Sequence, residues 1–163
     1  MKARAGGVSV RPAEAGDATG IAAMLREIAE QHHRGRPDVF RSGTAKYGAP
    51  ECLELIADPD RPAYVAVGEG GELLGYCLCE VQRSNGHPVL ADRTVLYIDD
   101  FFVRREARGR GVGRALAEAA RARARELGAA GVELNVWAFN SGAVAFYERM
   151  GFRVQRLRLE AEP

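Results

Sequence analysis

Residues Asp99 to Arg114 read as an apolar strand that runs into a basic, glycine-rich turn and then into a helix. In Arg108-Gly109-Arg110-Gly111-Val112-Gly113, backbone N–H groups without neighbouring side-chain bulk sit at a helix N-terminus, where peptide dipoles favour negative charge. Such a turn suits a phosphate. Two common phosphate designs fail on the residues themselves. A P-loop needs Lys-Ser or Lys-Thr after its last glycine, and here Arg114-Ala115 follows. A dinucleotide fingerprint needs G-x-G-x-x-G, whereas this turn has Gly109-x-Gly111-x-Gly113, with no suitable acidic residue closing a second parallel strand about 20 residues later.

The elements around this stretch follow from periodicity and punctuation. Val8-Ser9-Val10 is a short strand before Arg11-Pro12, and a helix opens at Glu14 or Asp17 and runs to about His33 on the stripe Ile21, Met24, Leu25, Ile28. Residues 34 to 49 lack a period and read as a loop with one helical turn. A short helix begins at Pro50 and stops at Asp58-Pro59. Ala63 to Val67 and Glu72 to Gln82 form a hairpin about Gly68-Glu69-Gly70-Gly71, and Arg93 to Val103 is a long strand. A helix from Gly111 to Leu127, a strand from Gly131 to Trp137, a helix capped by Asn140 or Ser141 and ending at Gly151, and a last strand from Phe152 to Leu159 complete the chain. The order is β, α, α, β, β, β, α, β, α, β. Residues 1–7 read as a flexible N-terminus and 8–163 as one domain.

Composition narrows the function classes. The 163 residues, 47% hydrophobic, suffice for one buried core. A formal charge of +1, with no stacking aromatics along a basic groove, argues against nucleic acid as a partner. Cys52, Cys77 and Cys79 read as buried free thiols in a reducing compartment, and His32, His33 and His87 lie outside any zinc spacing, so no metal is assigned. No apolar run reaches membrane-spanning length and Met1 to Gly7 lacks a signal-peptide core, which predicts a cytoplasmic chain without a membrane partner.

The pattern Arg-x-x-Gly-x-Gly at 108 to 113, followed by Asn140, Ala143, Phe146, Tyr147, Gly151 and Phe152, resembles the GNAT (Gcn5-related) N-acetyltransferases over nearly the whole chain. Leu96-Tyr97-Ile98-Asp99-Asp100-Phe101-Phe102-Val103 is similar to the corresponding strand of spermidine/spermine acetyltransferases. The resemblance implies an α/β (α+β) fold with a mixed, mostly antiparallel sheet of six to seven strands and about four flanking helices. The central strands 93–103 and 131–136 would splay to admit acetyl-CoA as co-substrate. It implies a cofactor site of backbone groups at Phe101, Phe102 and Val103, the turn Arg108, Gly109, Arg110, Gly111, Val112, Gly113 and Arg114, and Asn140, Ala143, Phe146 and Tyr147. Glycine in the turn would keep a Cβ from holding the phosphate away.

Acyl transfer to an amine poses two proton problems. An alkylamine with a pKa of about 10.4 is almost wholly protonated at neutral pH, and the leaving thiolate needs a hydrogen-bond donor. The resemblance implies Tyr147 as that donor and Asp99 near the amine, either as a base acting through water or as the group that positions the cation. Asp100 falls on the opposite face of a regular strand, unless a bulge intervenes. Acceptor recognition is expected from Asp99, Asp100, His33 and Phe40, with His32, Asp38 and Tyr47 as further loop candidates. The acceptor is expected to be a small-molecule amine (a polyamine or an aminoglycoside among the possibilities) or a protein amine. A homodimer is expected from exposed sheet edges. The competing function is a non-catalytic acetyl-CoA-binding sensor or interaction module.

Overall fold

A computed structural model describes residues 3–5 and 7–163. Its sheet runs in chain order, β1 (Ala3–Ala5), β2 (Val8–Pro12), β3 (Ala63–Val67), β4 (Leu73–Ser84), β5 (Arg93–Val103) and β6 (Val132–Leu134). Neighbours are antiparallel as far as β5, and β6 then lies parallel to β5. Of the segment 1–7, Met1, Lys2 and Gly6 lie outside the described residues, while Ala3–Ala5 pair with Val8–Val10.

Both faces of the sheet are covered, which explains why β4 is apolar almost throughout rather than alternating. On one face lie α1 (Ala18–Gly35) and α2 (Ala49–Ala57), where Ile21, Met24 and Leu25 pack with Cys52, Leu55, Val65, Tyr76, Leu78 and Phe102. On the other lies α3 (Val112–Glu126), whose Val112, Leu116, Ala120 and Ala124 meet Val10, Ala66, Cys77, Cys79, Leu96 and Ile98. Each large aliphatic side chain buried this way contributes roughly 1.5–3 kcal/mol. The three cysteines are buried and free. The last helix, α4 (Ser141–Arg149), has no fully buried residue. Among the described residues no helix is long and apolar enough to cross a membrane.

One polar junction sets the angle between β2 and α1. The Asp17 carboxylate accepts from Arg11 Nη1 at 2.6 Å, Arg11 Nη2 at 3.0 Å and the Glu14 N–H at 2.8 Å, closing a 3-10 turn that leads into α1. Burial opposes the Asp17 charge, but these bonds outweigh it and hold the carboxyl below its ordinary range.

Two features of β5 shape the site beside it. Leu78 faces Asp100 and Cys79 faces Ile98, so Asp99 is an extra residue without a partner on β4, a β-bulge. On the other edge of β5, the parallel ladder with β6 spans only Leu96↔Val132 to Ile98↔Leu134. Beyond those residues the strands part, and β5 continues alone on that side to Val103. β6 stops at Leu134 instead of reaching Val136 or Trp137, and the Asn135 Nδ2 donates instead to the Tyr97 hydroxyl at 2.9 Å.

The final strand expected over 152–159 does not form. Five strands from Val8 to Leu134 make the body of the sheet, fewer than the expected six to seven, and only the three-residue β1 at its edge brings the total to six. Val154, Leu157 and Leu159 are 74%, 76% and 87% exposed, and Gln155 reaches Glu133 only through its side chain, at 2.9 Å. A three-residue β6 offers too short an edge to template a strand of that length.

Gly75 sits where β4 passes β5, and a Cβ there would lie 2.5 Å from the Phe102 carbonyl oxygen, whereas one at Gly16 would meet nothing within 4 Å. Gly75→Ala is expected to cost about 1–3 kcal/mol in thermal or denaturant unfolding, and Gly16→Ala to stay within about 0.5 kcal/mol of the parent.

Candidate active site

The turn after β5 forms because two of its glycines adopt left-handed backbone. Arg105–Ala107 make a 3-10 turn, Gly109 has φ +74° and Gly111, the N-cap of α3, has φ +80°. A side chain at either would cost about 1–2 kcal/mol. The first helical bond runs from the Ala115 N–H to the Gly111 carbonyl at 3.0 Å, so the N–H groups of Val112, Gly113 and Arg114 precede the ladder. Gly113 has a different reason to lack a side chain, since its Cβ would press on the Phe146 ring at 3.1 Å. The arginines also divide. All three are exposed, but Arg108 folds back, its Nε donating to the Val103 carbonyl at 2.9 Å and its guanidinium 5.8 Å from the Phe102 ring, whereas among the described residues Arg110 and Arg114 make no side-chain hydrogen bond.

α4 packs beside the end of β5 and the head of α3. Asn140 caps it, its Oδ1 accepting from the Ala143 N–H at 3.2 Å. Phe146 and Tyr147 then pack on Phe101, with ring centroids 5.7 and 6.0 Å away, and Tyr147 meets Phe152 at 5.5 Å. These rings pack on the part of β5 that β6 does not reach. Burial, with the charges of Cys77 and Asp100 adding to it, pushes the Tyr147 hydroxyl well above its ordinary value, so it stays protonated. Among the described residues that hydroxyl makes no hydrogen bond.

The bulge resolves where the two aspartates point. Asp99 faces the loop before α2, and Asp100 accepts from the Tyr76 hydroxyl, also on the α1 side, at 2.8 Å. They therefore share a face, and the opposite-face placement expected of a regular strand is replaced by the bulge alternative. Asp100 is partly buried, and desolvation raises its pKa despite the bond from Tyr76. Asp99 is held by three donors. Lys46 Nζ lies 2.7 Å from Oδ1, and the Tyr47 hydroxyl and Arg61 Nη2 lie 2.8 and 3.3 Å from Oδ2. Behind Tyr47 and Arg61 opens a cavity of about 310 Å³ lined also by Glu51, Glu54, Leu55 and Asp58.

Other loop residues are placed apart from this cluster. His33 Nδ1 bonds the Phe40 carbonyl at 2.7 Å, and Phe40 stacks on His32 at 4.9 Å and meets Trp137 edge-on at 5.0 Å. His33 and Phe40 thus join the end of α1 to the segment after β6. Asp38 is engaged by Arg36, which also pairs with Glu160. Lys46 and Arg61, which complete the Asp99 cluster, are not marked by any motif in the sequence. For Arg61 no sequence signal exists, because its partner lies 38 residues away. Among the described residues no three His, Cys, Asp or Glu side chains form a metal-binding group.

Comparison with known proteins places this geometry. The model of the Acetyltransferase (GNAT) family matches residues 20–152. Streptothricin acetyltransferase of Streptomyces lavendulae is 37% identical over 95 residues, 58% of this chain and 46% of that protein. The peptidyl-lysine N-acetyltransferase YjaB of Salmonella typhimurium is 33% identical over 106 residues, 64% of this chain and 60% of that protein. The chain thus spans about half the length of these curated relatives. A crystal structure of a mutant of the BH1408 protein from Bacillus halodurans superimposes with a TM-score of 0.90 at 27% identity, covering 94% of this chain and 98% of that one.

The raised pKa of Asp100 carries a pH signature. A carboxyl more easily protonated in the folded than the unfolded chain lowers stability as pH rises from the ordinary aspartate value, about 3.9, through its folded value. Asp100→Asn keeps an acceptor for Tyr76 and removes that cost. Its melting temperature relative to the parent is expected to rise at pH 7, with the gain disappearing below about pH 3.9.

Proposed function

Since the chain belongs to the acetyltransferase (GNAT) family, we propose that it transfers an acetyl group from acetyl-CoA to a cationic primary amine by direct attack on the thioester. The observation that carries this is the split between β5 and β6, which opens beyond Ile98 and Leu134 toward the glycine turn at the head of α3. The residues fit acetyl-CoA. The N–H groups from Gly109 to Arg114 suit a pyrophosphate, with about 1.5–3 kcal/mol for each charge-assisted bond, and Arg110 and Arg114 are free to add charge. The unpartnered edge of β5 at Phe101, Phe102 and Val103 suits the pantetheine amides, and Val112, Asn140, Ala143 and Phe146 flank the same channel. Acetyl-CoA supplies an activated acetyl group on a sulfur leaving group.

The chain's own groups handle the protons. Tyr147, kept protonated by burial, donates to the departing sulfur. Asp99, both of whose oxygens are engaged by cations or a hydroxyl, positions an ammonium rather than acting as a strong base. Water carries the amine proton away. A cationic acceptor also fits the carboxylates Glu51, Glu54 and Asp58 around the adjoining cavity. The names of the relatives, which specify streptothricin and peptidyl-lysine, support an amine acceptor, and polyamines belong to the same chemical class. His33 and Phe40 contribute by fixing the loop that carries Lys46 and Tyr47. A cytoplasmic homodimer would cover the exposed Val154, Leu157 and Leu159.

A thiol-release assay with acetyl-CoA across an amine panel tests the proposal. Tyr147→Phe is expected to lower kcat by about 10²- to 10⁴-fold while acetyl-CoA still raises the melting temperature. Gly111→Ala, by contrast, is expected to raise the KM for acetyl-CoA. Thermal stabilisation by acetyl-CoA without release on any amine would instead identify a sensor.

A further inference from the structure

The chain contains 21 arginines and two lysines, Lys2 and Lys46. Among the described residues, arginine supplies the cation of every side-chain ion pair except one, that of Lys46 with Asp99. The exception stands where the acceptor amine is expected. Lys46 Nζ lies 2.7 Å from the Asp99 carboxylate and 3.1 Å from the Asp99 backbone carbonyl, directly on the bulge beside which β5 and β6 separate. Arginine would satisfy the same carboxylate, often with two bonds, but a guanidinium is always charged and is not an acylation nucleophile. Lysine becomes a nucleophile on losing one proton.

We propose that Lys46 is a self-acetylation site, occupying the acceptor position when no external amine is present. This rests on the acetyl-transfer function proposed above. The Lys46 ammonium gives one proton to water, and its lone pair attacks the thioester carbonyl of acetyl-CoA. The new nitrogen–carbon bond forms as the carbon–sulfur bond breaks, the departing sulfur takes a proton from Tyr147, and the nitrogen's second proton passes through water back to the Tyr147 oxygen, leaving one proton released to solvent overall. The products are an acetamide on Lys46 and free CoA thiol. Acetylation abolishes the Lys46 charge and with it the ion pair to Asp99. Asp99 then keeps Tyr47 and Arg61, with one oxygen open to an incoming ammonium, so the modification converts a self-occupied acceptor site into an open one.

The alternative, that Lys46 is only an anchor for its loop, has the opposite kinetic sign, because an ammonium held by a carboxylate is shielded from acylation. The folded chain is incubated with acetyl-CoA without acceptor, alongside a urea-unfolded sample, and acetyl incorporation at residue 46 is followed by peptide mass mapping. Self-acetylation predicts labelling at Lys46 roughly tenfold or more faster in the folded chain, at a rate per chain that does not change on dilution, and no label at that position in Lys46→Arg. Slower labelling than in urea, or a rate proportional to chain concentration, overturns the proposal. An amine panel run in parallel separates the two levels. Acetylated amine with unlabelled Lys46 defeats self-acetylation alone, and no acetylation of either defeats the acetyl-transfer function as well.

Discussion

The extra residue in β5 at Asp99 is the constraint on which the rest of the site depends. Without it, Asp99 and Asp100 would fall on opposite faces and only one could meet the α1 side of the sheet. The bulge puts both there, one partly buried against Tyr76 and the other, with its side chain 12% exposed, under Lys46, Tyr47 and Arg61. It also adds twist just where the β6 ladder ends. A single unpaired position therefore aims the carboxylates and helps part the strands.

The proposed donor and acceptor ends of the site are built from different materials. The proposed acetyl-CoA end is backbone, made of a glycine turn, a helix N-terminus and a free strand edge, with the rings of Phe146 and Tyr147 packed on Phe101 beside it. The acceptor end is side chains, and its geometry depends on charge. Asp99 gathers two cations and a hydroxyl, Lys46 and Tyr47 from the loop before α2 and Arg61 from the approach to β3. Arg61 leaves its buried Nε without a partner among the described residues, a cost accepted to bring the guanidinium onto Asp99 and Tyr47.

What could be read from the chain divides along the same line. β5 matches its expected span, Arg93 to Val103, because β-branched and aromatic residues run almost unbroken to a turn, and Asn140 caps α4 as its residue type suggests. The glycine turn is legible because left-handed backbone and close packing leave a compositional mark. The acceptor end is not, since the approach of Lys46 and Arg61 to Asp99 spans 53 and 38 residues and no local pattern encodes it. Phe152 to Leu159 misled for a related reason. Its residues suit a strand, but strand formation needs an edge to pair with, and β6 supplies three residues.

The ring contact between Phe40 and Trp137 links the loop that bears Lys46 to the segment leaving β6, so the loop and the mouth of the split meet at one indole. Trp137 is the single tryptophan of the chain and is partly exposed. The protein thus carries an intrinsic fluorophore at the joint between the Lys46 loop and the segment after β6, and a displacement of the loop that moves Phe40 changes the polarity around that indole without a label being added.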